Sequence, residues 1–470
     1  MNEKQLARLG VPPGEPTRAA LAFISRYCLA GHDRQQIPTE VEAVIRSPAA
    51  FVNDELRGGF AQALVNVPKT FVPGDAPWKL WGGDLDPQAL SQMSRACQLP
   101  VSVAGALMPD AHVGYGLPIG GVLATEGAVI PYAVGVDIAC RMKLTVLDWP
   151  VSSLSDRHEQ LIRAIESETR FGVGATFKGR RQHEVMDANW AVTRITRGNK
   201  DRAWAQLGTS GSGNHFVEFG TLKVRPDSVG SSALPGLTSG EYLALLSHSG
   251  SRGTGAAVCD HFSKLAMAMH PELPKEYRQL AWLALDSEEG AEYWAAMELM
   301  GQYAAANHAL IHRHIAANLG AEVLADIENH HNFAWKEHHV VDGSARELVV
   351  HRKGATPAGA GVLGIIPGSM ATPGFVVRGK GNAASLHSAS HGAGRAMSRT
   401  KAVETFEWGQ VNPLLKERNV HLISAGLDEV PMVYKDIHQV MAAQEDLVEV
   451  LAEFRPRLVK MAPSGERPED

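Results

Sequence analysis

The sequence contains little cysteine, few aromatic residues and no large net charge. Its 470 residues include four cysteines, 6% aromatic residues and a formal net charge of −6. The cysteines are far apart and form no C-x-x-C motif, which excludes a dense disulfide framework and favours a reducing compartment. A small negative charge excludes a protein that coats nucleic acid nonspecifically, although it permits a local basic cleft.

Long hydrophobic runs are also missing. No uninterrupted apolar run approaches the ~18 residues that suggest a membrane-spanning helix. The N-terminal segment MNEKQLARLG lacks the apolar core of a secretory signal. We therefore expect a cytoplasmic protein that does not interact with a membrane. The remaining composition, 44% hydrophobic and 20% charged, is typical of a globular protein with a large core.

Glycine is plentiful, with 46 residues. Short apolar runs broken by glycine predict strands joined by tight turns over 101–147, 207–256 and 328–400. Charged helical segments are predicted over 155–206, and an alanine-rich helix over 292–320 with Gly320 as its C-cap. The last segment is predicted to begin as a helix and to end as a strand. These patterns indicate a protein of mixed α and β structure.

Reactive side chains lie in the glycine-rich loops and are spread over most of the chain. We therefore expect one composite site that is assembled by one large domain over 101–462. Residues 1–100 carry little recognisable chemistry, and residues 463–470 are expected to form a disordered tail.

Several loops offer ligands for a transition metal. The candidates occur in VGVDIACRM, GSGNHFVE, SHSGSRG and ENHHNFA, and they are Asp137, Cys140, His215, His248 and His331. A thiolate, a carboxylate and several imidazoles suit one or two divalent transition metals without identifying the metal. Each residue has an ordinary alternative, namely a core cysteine, an aspartate in a turn, or a hydrogen-bonded histidine in a turn.

The segment ASHGAGRAMSR sets His391 beside glycine-rich backbone and ahead of Arg395 and Arg399. An imidazole without bulky neighbours, followed by positive charge, indicates a nucleophile or ligand that meets a phosphate. The alternative is a turn before a helix. HRKGAT offers a second candidate phosphate-binding turn. GFVVRGKG nearly matches a nucleotide-binding loop, but it lacks the final Ser or Thr and is predicted to be a strand.

The order of the motifs resembles that of the RtcB family of RNA-splicing and repair ligases. The motifs are MPDAHVGYGLPIGG, GVDIAC, GSGNHFVE, SHSGSRG, HHNFA, HRKGAT, PGSM, GKGN and SHGAGRAMSR, and they cover most of the chain. The resemblance implies an α+β fold with a single large domain and mixed sheets around a central metal cleft. It also implies GTP-dependent joining of RNA 2′,3′-cyclic phosphate or 3′-phosphate ends to 5′-hydroxyl ends, two Mn²⁺ ions, and an archease-like protein as a candidate activator.

The resemblance further implies roles for individual residues. His391 resembles the nucleophile that becomes guanylylated, and Asp110 resembles an acidic residue of the active site. The implied metal ligands are Asp137, Cys140, His215, His248 and His331, with Cys140 between two ions. The implied guanylate-contacting residues are Asn214, Glu218, Ser369, Gly392, Ala393, Tyr434 and Lys460. The residues expected to hold phosphates of the nucleotide or of RNA are Arg352, Lys353, Arg395 and Arg399.

The sequence departs from the family pattern at several positions, among them Ala139, Arg141 and Pro357, where many relatives have Asn, Gly and Arg. The nucleophile and ligands are present, so we expect the chemistry to survive, while RNA-end preference and dependence on an activator stay open. Two other functions also stay open. One is a metal-dependent phosphodiesterase or phosphatase acting on RNA ends, and the other is a noncatalytic RNA-end-binding protein.

Overall fold

The structure, a computed structural model, describes residues 1–65, 71–226, 234 and 236–466. The chain forms two compact units, Met1–Phe71 and Val72–Asp470. The first unit ends ahead of the boundary at residue 100 that the sequence suggested. The expected disordered tail falls partly on residues 467–470, which lie outside the described residues, while 463–466 follow the last strand as an irregular turn.

The first unit is helical and has its own hydrophobic core. Its helices are α1 (Glu3–Arg8), α2 (Glu15–Leu29), α3 (Ile37–Arg46) and α4 (Gly58–Val65). The side chain of Asn2 accepts a hydrogen bond from the backbone of Gln5, whose own side chain accepts from Asn2. This capping box satisfies two backbone donors at the start of α1. Phe23, Val41 and Phe60 are fully buried within the unit.

The second unit contains the predicted long helix. Its helices are α5 (Pro87–Cys97), α6 (Pro131–Val134), α7 (Ser153–Asp156), α8 (His158–Glu168), α9 (Arg194–Gln206), α10 (Arg252–Met269), α11 (Glu288–Leu319), α12 (Arg399–Thr405), α13 (Trp408–Glu417) and α14 (Ile437–Ala442). The Ser287 side chain caps the start of α11, and Gly320 ends it in the left-handed region with φ of 67°. The predicted C-cap is therefore confirmed. Among the described residues no helix is long and apolar enough to cross a membrane.

The strands of the second unit form two large sheets and two short pairs within the described residues. The strands are β1 (Trp78–Leu80), β2 (Ser102–His112), β3 (Ile119–Thr125), β4 (Ala128–Val129), β5 (Arg141–Leu147), β6 (Phe216–Val224), β7 (Gly240–Ser249), β8 (Leu283–Ala284), β9 (Val323–His330), β10 (Asn332–Val341), β11 (Ser344–Lys353), β12 (Ala355–Pro357), β13 (Leu363–Ile366), β14 (Gly374–Gly379), β15 (Ser388–Ser390), β16 (His421–Ser424) and β17 (Val448–Met461). Parallel and antiparallel pairs occur in both large sheets. The expectation of an α+β domain with mixed sheets is confirmed.

The eight-stranded sheet has the order β13-β14-β17-β6-β7-β5-β9, with β16 beside β17. Successive side chains of a strand point to opposite faces. Phe219 and Leu245 therefore pack with residues of α8 and α11 on one face. Leu222 and Leu246 belong to a different cluster on the other face. Glu218 shares this second face, because it is separated from Leu222 by an even number of residues.

The five-stranded sheet has the order β1-β2-β3-β11-β10. Its β10–β11 hairpin closes through Asp342 and Gly343, both of which have positive φ. An Asp-Gly pair suits this turn because both central residues of a tight hairpin turn need that conformation. A short pair, β12 and β15, joins Thr356 to Ala389 and leads directly into His391.

Several local predictions were correct and others were wrong. The strands expected near 102–125 are β2 and β3, FVVR lies in β14, and the C-terminal segment is α14 followed by β17. The segment before Asp137 was predicted to be a strand, but Pro131 starts the short helix α6, and Gly135 ends it with φ of 112°. Proline fits the first turn of a helix because the missing N–H has no partner there. The segment from Arg252 onward is α10, not a turn.

Candidate active site

Strand register brings three proposed ligands together at one end of the eight-stranded sheet. β5 lies between β7 and β9, and its first residue, Arg141, pairs with the residues next to His248 and His331. Cys140 immediately precedes this position. Its thiol therefore lies beside both imidazoles, although the three residues are far apart in the sequence.

A tight turn and a neighbouring strand add the other two ligands. The backbone N–H of Cys140 donates to the carbonyl of Asp137 at 3.2 Å, and Ala139 between them has φ of 57°. The turn lets the carboxylate and the thiol face the same side. His215 precedes β6, whose first residue pairs with His248. All five candidates are buried.

The candidate ligand atoms lie close enough together to share a metal ion, at separations slightly shorter than those of an ideal tetrahedral site. Cys140 Sγ lies 3.0 Å from His248 Nε2 and 3.4 Å from His215 Nε2. His248 Nε2 lies 3.1 Å from His331 Nε2, and His215 Nε2 lies 3.0 Å from Asp137 Oδ2. Ordinary metal–ligand bond lengths in a tetrahedral site give edges of about 3.3 Å between nitrogens and about 3.6 Å between sulfur and nitrogen. The ligand atoms form two groups of three that share the Cys140 thiol.

The protonation states also suit a metal site. Burial lowers the pKa of His248 to about 3 and the pKa of His331 well below its usual value, so both imidazoles are neutral. Metal binding requires neutral imidazoles. His248 Nδ1 donates to the carbonyl of Asn214 at 3.0 Å, which leaves the Nε2 lone pair for a metal. Burial would raise the pKa of Asp137, but the hydrogen bond and charge of His215, together with the charge of Arg252, lower it.

Arg252 supports this cluster, and sequence reasoning had assigned it no role. Its side chain is buried, and Nη1 lies 3.3 Å from His215 Nδ1. A Cβ atom on Gly211 would lie 2.0 Å from the same nitrogen, so the glycine is needed for the guanidinium to fit. The positive charge also helps to lower the pKa of Asp137. The glycine-rich segment before His215 is the sequence signal that could have revealed this packing.

The proposed nucleophile has an oriented imidazole. His391 Nδ1 lies 2.7 Å from Asp110 Oδ2, which also accepts the backbone N–H groups of His391 at 3.1 Å and Gly392 at 3.3 Å. Burial would raise the pKa of Asp110, but the hydrogen bond from His391 and the nearby positive charges of His391, His112 and Lys435 together lower it. Because Nδ1 donates to the carboxylate, Nε2 carries the lone pair. The rings of His391 and His331 are 4.9 Å apart, so this imidazole adjoins the metal cluster.

Two glycines make room for this pair. A Cβ on Gly394 would lie 2.0 Å from the carbonyl oxygen of Asp110, and the residue has φ of 73°. A Cβ on Gly354 would lie 2.3 Å from a methyl carbon of Ile119 and 3.1 Å from Cε1 of His391. Only glycine fits these positions without displacing the site.

The cluster and His391 open into a cleft of about 1290 Å³, and a smaller pocket adjoins it. Six residues of the expected guanylate-binding set line the cleft or the pocket: Asn214, Glu218, Ser369, Gly392, Ala393 and Tyr434. Burial raises the pKa of Glu218 well above its usual value.

Lys460 does not line this pocket, contrary to expectation. It lies in β17 between Val459 and Met461, both of which line the pocket. Its side chain therefore points to the opposite face of the sheet, where the ammonium lies 6.0 Å from the centre of the Phe171 ring. The expected residue is only one position away from two residues that line the pocket. A shift of one residue along a strand moves the side chain to the other face of the sheet.

Arg352 forms a buried ion pair with Glu337 and does not line the cleft. It is 1% exposed, and its two terminal nitrogens lie 2.6 and 3.0 Å from the carboxylate oxygens of Glu337. It also donates to Ser388 and stacks over Trp335. The guanidinium belongs to a buried ion pair, which does not favour the expected phosphate contact. Glu337 and two histidines form a third group with metal-ligand spacing, but the arginine already neutralises that carboxylate.

The other three cationic candidates line the cleft. Burial lowers the pKa of Lys353 to about 8, and its ammonium donates to the carbonyl of Tyr115. Arg395 and Arg399 both form ion pairs with Glu429, which also accepts the hydroxyl of Tyr434. Sequence reasoning missed Glu429, which is buried. A carboxylate that binds two arginines fixes their positions at the cleft wall.

The three departures from the family pattern have local structural explanations. Ala139 takes a left-handed conformation, which asparagine adopts at less cost. The Arg141 guanidinium is buried and lies 3.1 Å from Glu328. Pro357 pairs with Ser388 in the short β12–β15 ladder. Each departure thus changes the support of the site, while the proposed ligands and His391 are retained.

A buried cluster of candidate metal ligands, an oriented histidine beside it and an adjoining pocket together form a candidate metal-dependent active site on a mixed α and β fold. The family model described as tRNA-splicing ligase RtcB matches residues 92–461. The chain belongs to the RtcB family. The first unit, Met1–Phe71, lies outside that match.

Curated relatives support the same family. The RNA-splicing ligase RtcB of Escherichia coli (strain K12) is 34% identical over 414 residues, which cover 81% of this chain and 96% of the relative. The tRNA-splicing ligase RtcB of Nanoarchaeum equitans is 31% identical over 462 residues, covering 84% of this chain and 95% of the relative. The RNA-splicing ligase RtcB of Mycobacterium bovis is 31% identical and is covered over 98% of its length.

Proposed function

We propose that this chain is a GTP- and Mn²⁺-dependent RNA ligase that joins 2′,3′-cyclic phosphate or 3′-phosphate ends to 5′-hydroxyl ends. Membership of a family of ligases supports the reaction class. The observation that carries the mechanism is the Asp110–His391 pair, which orients an imidazole nucleophile beside a cluster of metal ligands.

Two divalent ions would be held by the shared-thiolate cluster of Asp137, Cys140, His215, His248 and His331. Bound metal supplies charge neutralisation at the phosphates of the nucleotide. This donor set accommodates several divalent metals, so the choice of Mn²⁺ follows the resemblance to the family.

The histidine performs the first step. Nε2 of His391 attacks the α-phosphorus of GTP, a nitrogen–phosphorus bond forms, and pyrophosphate leaves. The ring becomes cationic in this step. The carboxylate of Asp110 stabilises that charge through its hydrogen bond with Nδ1.

The RNA then replaces the histidine. An oxygen of the RNA 3′-phosphate attacks the phosphorus of the bound GMP, and the nitrogen–phosphorus bond breaks. The 5′-hydroxyl attacks the activated 3′-phosphate, loses its proton to solvent, and GMP leaves. A cyclic phosphate is first opened by water. Arg395 and Arg399 line the same cleft and are the residues expected to contact these phosphates.

Guanine fits the chemistry of the adjoining pocket. The Glu218 carboxyl presents oxygens to the N–H groups on the Watson–Crick edge of guanine, and adenine lacks that pair of donors. Tyr434 lines both the pocket and the cleft, between the base and the phosphates. The proposal also includes a cytoplasmic location and an archease-like activator, both of which rest on the resemblance.

The test uses purified protein with Mn²⁺, GTP and two RNA oligonucleotides, one ending in a 3′-phosphate and one starting with a 5′-hydroxyl. The proposal predicts a joined product that requires GTP. Loss of the end phosphate without joining or GTP would favour a phosphatase or phosphodiesterase. Binding without any change in the RNA would favour a noncatalytic protein.

A further inference from the structure

One exposed aromatic residue lies at the rim of the cleft. Tyr115 lines the same cleft as His391, and it is 60% exposed. A single exposed aromatic ring on a surface needs no explanation. The backbone of the loop that carries this ring, however, is hydrogen-bonded to side chains at three consecutive residues.

Three consecutive residues of the loop are fixed by side chains from three different elements. Gln92 of α5 donates to the carbonyl of Gly114 at 2.5 Å and accepts from its N–H at 3.1 Å. Lys353 of β11 donates to the carbonyl of Tyr115. Gln279 accepts from the N–H of Gly116 at 3.2 Å. The backbone that carries the exposed ring is therefore rigid.

The same contacts tie the loop to the proposed nucleophile. Lys353 is followed by Gly354, which lies so close to His391 that a Cβ would be 3.1 Å from the ring carbon Cε1. Lys353 thus connects the loop to the backbone that lies beside the His391 ring. Burial of that ammonium makes the contact a substantial constraint, because a buried donor needs its acceptor.

We propose that Tyr115 is a stacking surface for a nucleobase close to the RNA end that is being joined. The inference rests on the proposed function for the identity of the ligand. Aromatic rings stack on any base, so the contact would position the strand without reading its sequence. Stacking needs no positive charge, and it is therefore compatible with Asp84 and Asp86, which line the same cleft.

The test measures stacking directly. An RNA oligonucleotide with a terminal 2-aminopurine and a 3′-phosphate is titrated with protein and Mn²⁺ in the absence of GTP, and fluorescence quenching is recorded. Quenching is expected with the unaltered protein and with Tyr115→Phe, which keeps the ring. Tyr115→Ala should lose the quenching and weaken RNA binding by roughly five- to a hundredfold.

Two further readouts separate stacking from a structural role. Labelling of the protein by GTP and the unfolding temperature should be unchanged in Tyr115→Ala, because neither requires the RNA base. Val340→Ala removes another exposed apolar side chain from a residue that does not line the cleft, and it should leave RNA binding unchanged. Unchanged binding in Tyr115→Ala, an equal loss in Tyr115→Phe, or an equal loss of GTP labelling would overturn the proposal.

The outcome is independent of the ligase reaction itself. If the unaltered protein binds RNA but takes no label from GTP, the proposed function fails. The fluorescence assay still tests whether the RNA base stacks on Tyr115. If labelling is normal and Tyr115→Ala binds RNA normally, the stacking surface fails while the proposed function stands.

Discussion

His391 Nδ1 lies 2.7 Å from Oδ2 of Asp110, a carboxylate that is 0% exposed. The contact fixes which ring nitrogen carries the proton and which carries the lone pair. The same oxygen accepts two backbone N–H groups, so the carboxylate itself cannot rotate freely. An aspartate from β2 therefore orients a residue that lies far along the chain.

Replacing Asp110 by asparagine tests this orientation. The amide oxygen still accepts the three N–H groups, but the negative charge that stabilises the cationic ring is lost. Guanylylation should slow by roughly a hundredfold, within the usual range for assisted proton and charge transfer. Rapid-quench labelling with GTP gives the rate, and circular dichroism checks the fold. An unchanged rate would show that the carboxylate is only structural.

Cys140→Ala should weaken the binding of both metal ions, because its thiol belongs to both groups of ligands. We expect the Mn²⁺ affinity of each site to fall at least about tenfold, given the large free energies of metal–thiolate coordination. Cys97→Ala is the matched control, since Cys97 is equally buried and burial raises its thiol pKa to about 12. Titration with Mn²⁺, followed by electron paramagnetic resonance, measures the affinity of each site in both variants. Loss of only one ion would contradict a shared ligand.

Glu218→Gln should reduce the preference for GTP over ATP. The amide keeps one acceptor for guanine, but its NH₂ group faces a guanine donor. Hydrogen bonds that involve a charged group contribute about 1.5–3 kcal/mol, which corresponds to roughly ten- to a hundredfold in preference. Competition between the two labelled nucleotides gives the ratio. If the ratio is the same as in the unaltered protein, the carboxyl does not read the base.

The Arg352–Glu337 ion pair should make stability depend on pH. Burial would raise the pKa of Glu337, but hydrogen bonds from His339 and Arg352 outweigh burial and lower it to about 2. A carboxyl with a lowered pKa stabilises the fold above its unfolded pKa of roughly 4.3 and loses that contribution as the pH falls towards 2. Chemical unfolding between pH 5 and pH 2 should show a steeper loss than in Glu337→Gln. If the free energy of unfolding falls with pH by the same amount in both proteins, the ion pair does not make this contribution.

Arg352→Ala should destabilise the fold without acting on phosphate chemistry. It leaves a largely buried carboxylate without its partner, which costs about 3 kcal/mol after allowance for the partial exposure of Glu337. Chemical unfolding at neutral pH measures this loss. RNA binding by protein that is still folded should be unchanged, and a selective loss of RNA affinity would restore the phosphate-binding role.

The sequence selected the five candidate metal ligands and His391 from long and chemically unusual motifs, and the structure brings these residues together. It predicted α11 with its glycine cap and the strands β2 and β3, since each follows local periodicity and turn chemistry. The short helix α6 was missed because a proline followed by apolar residues is compatible with a strand end as well as with a first helical turn.

Side-chain direction was harder to predict than position. Lys460 was assigned to the nucleotide pocket, yet the strand alternation turns it to the other face and presents Met461 instead. Arg352 was assigned to a phosphate, yet its partner Glu337 lies across a hairpin whose pairing a sequence pattern does not reveal. Both differences concern contacts that only the register of neighbouring strands determines.

The role of His391 is tested most simply by incubation with Mn²⁺ and GTP labelled at the α-phosphate, with His391→Ala in parallel. We expect a protein-bound label that is labile in acid and stable in alkali, and that disappears in the variant while Mn²⁺ stays bound. A label that persists in His391→Ala, or no label in protein that holds its metal ions, would contradict the role of His391 as the guanylylated nucleophile.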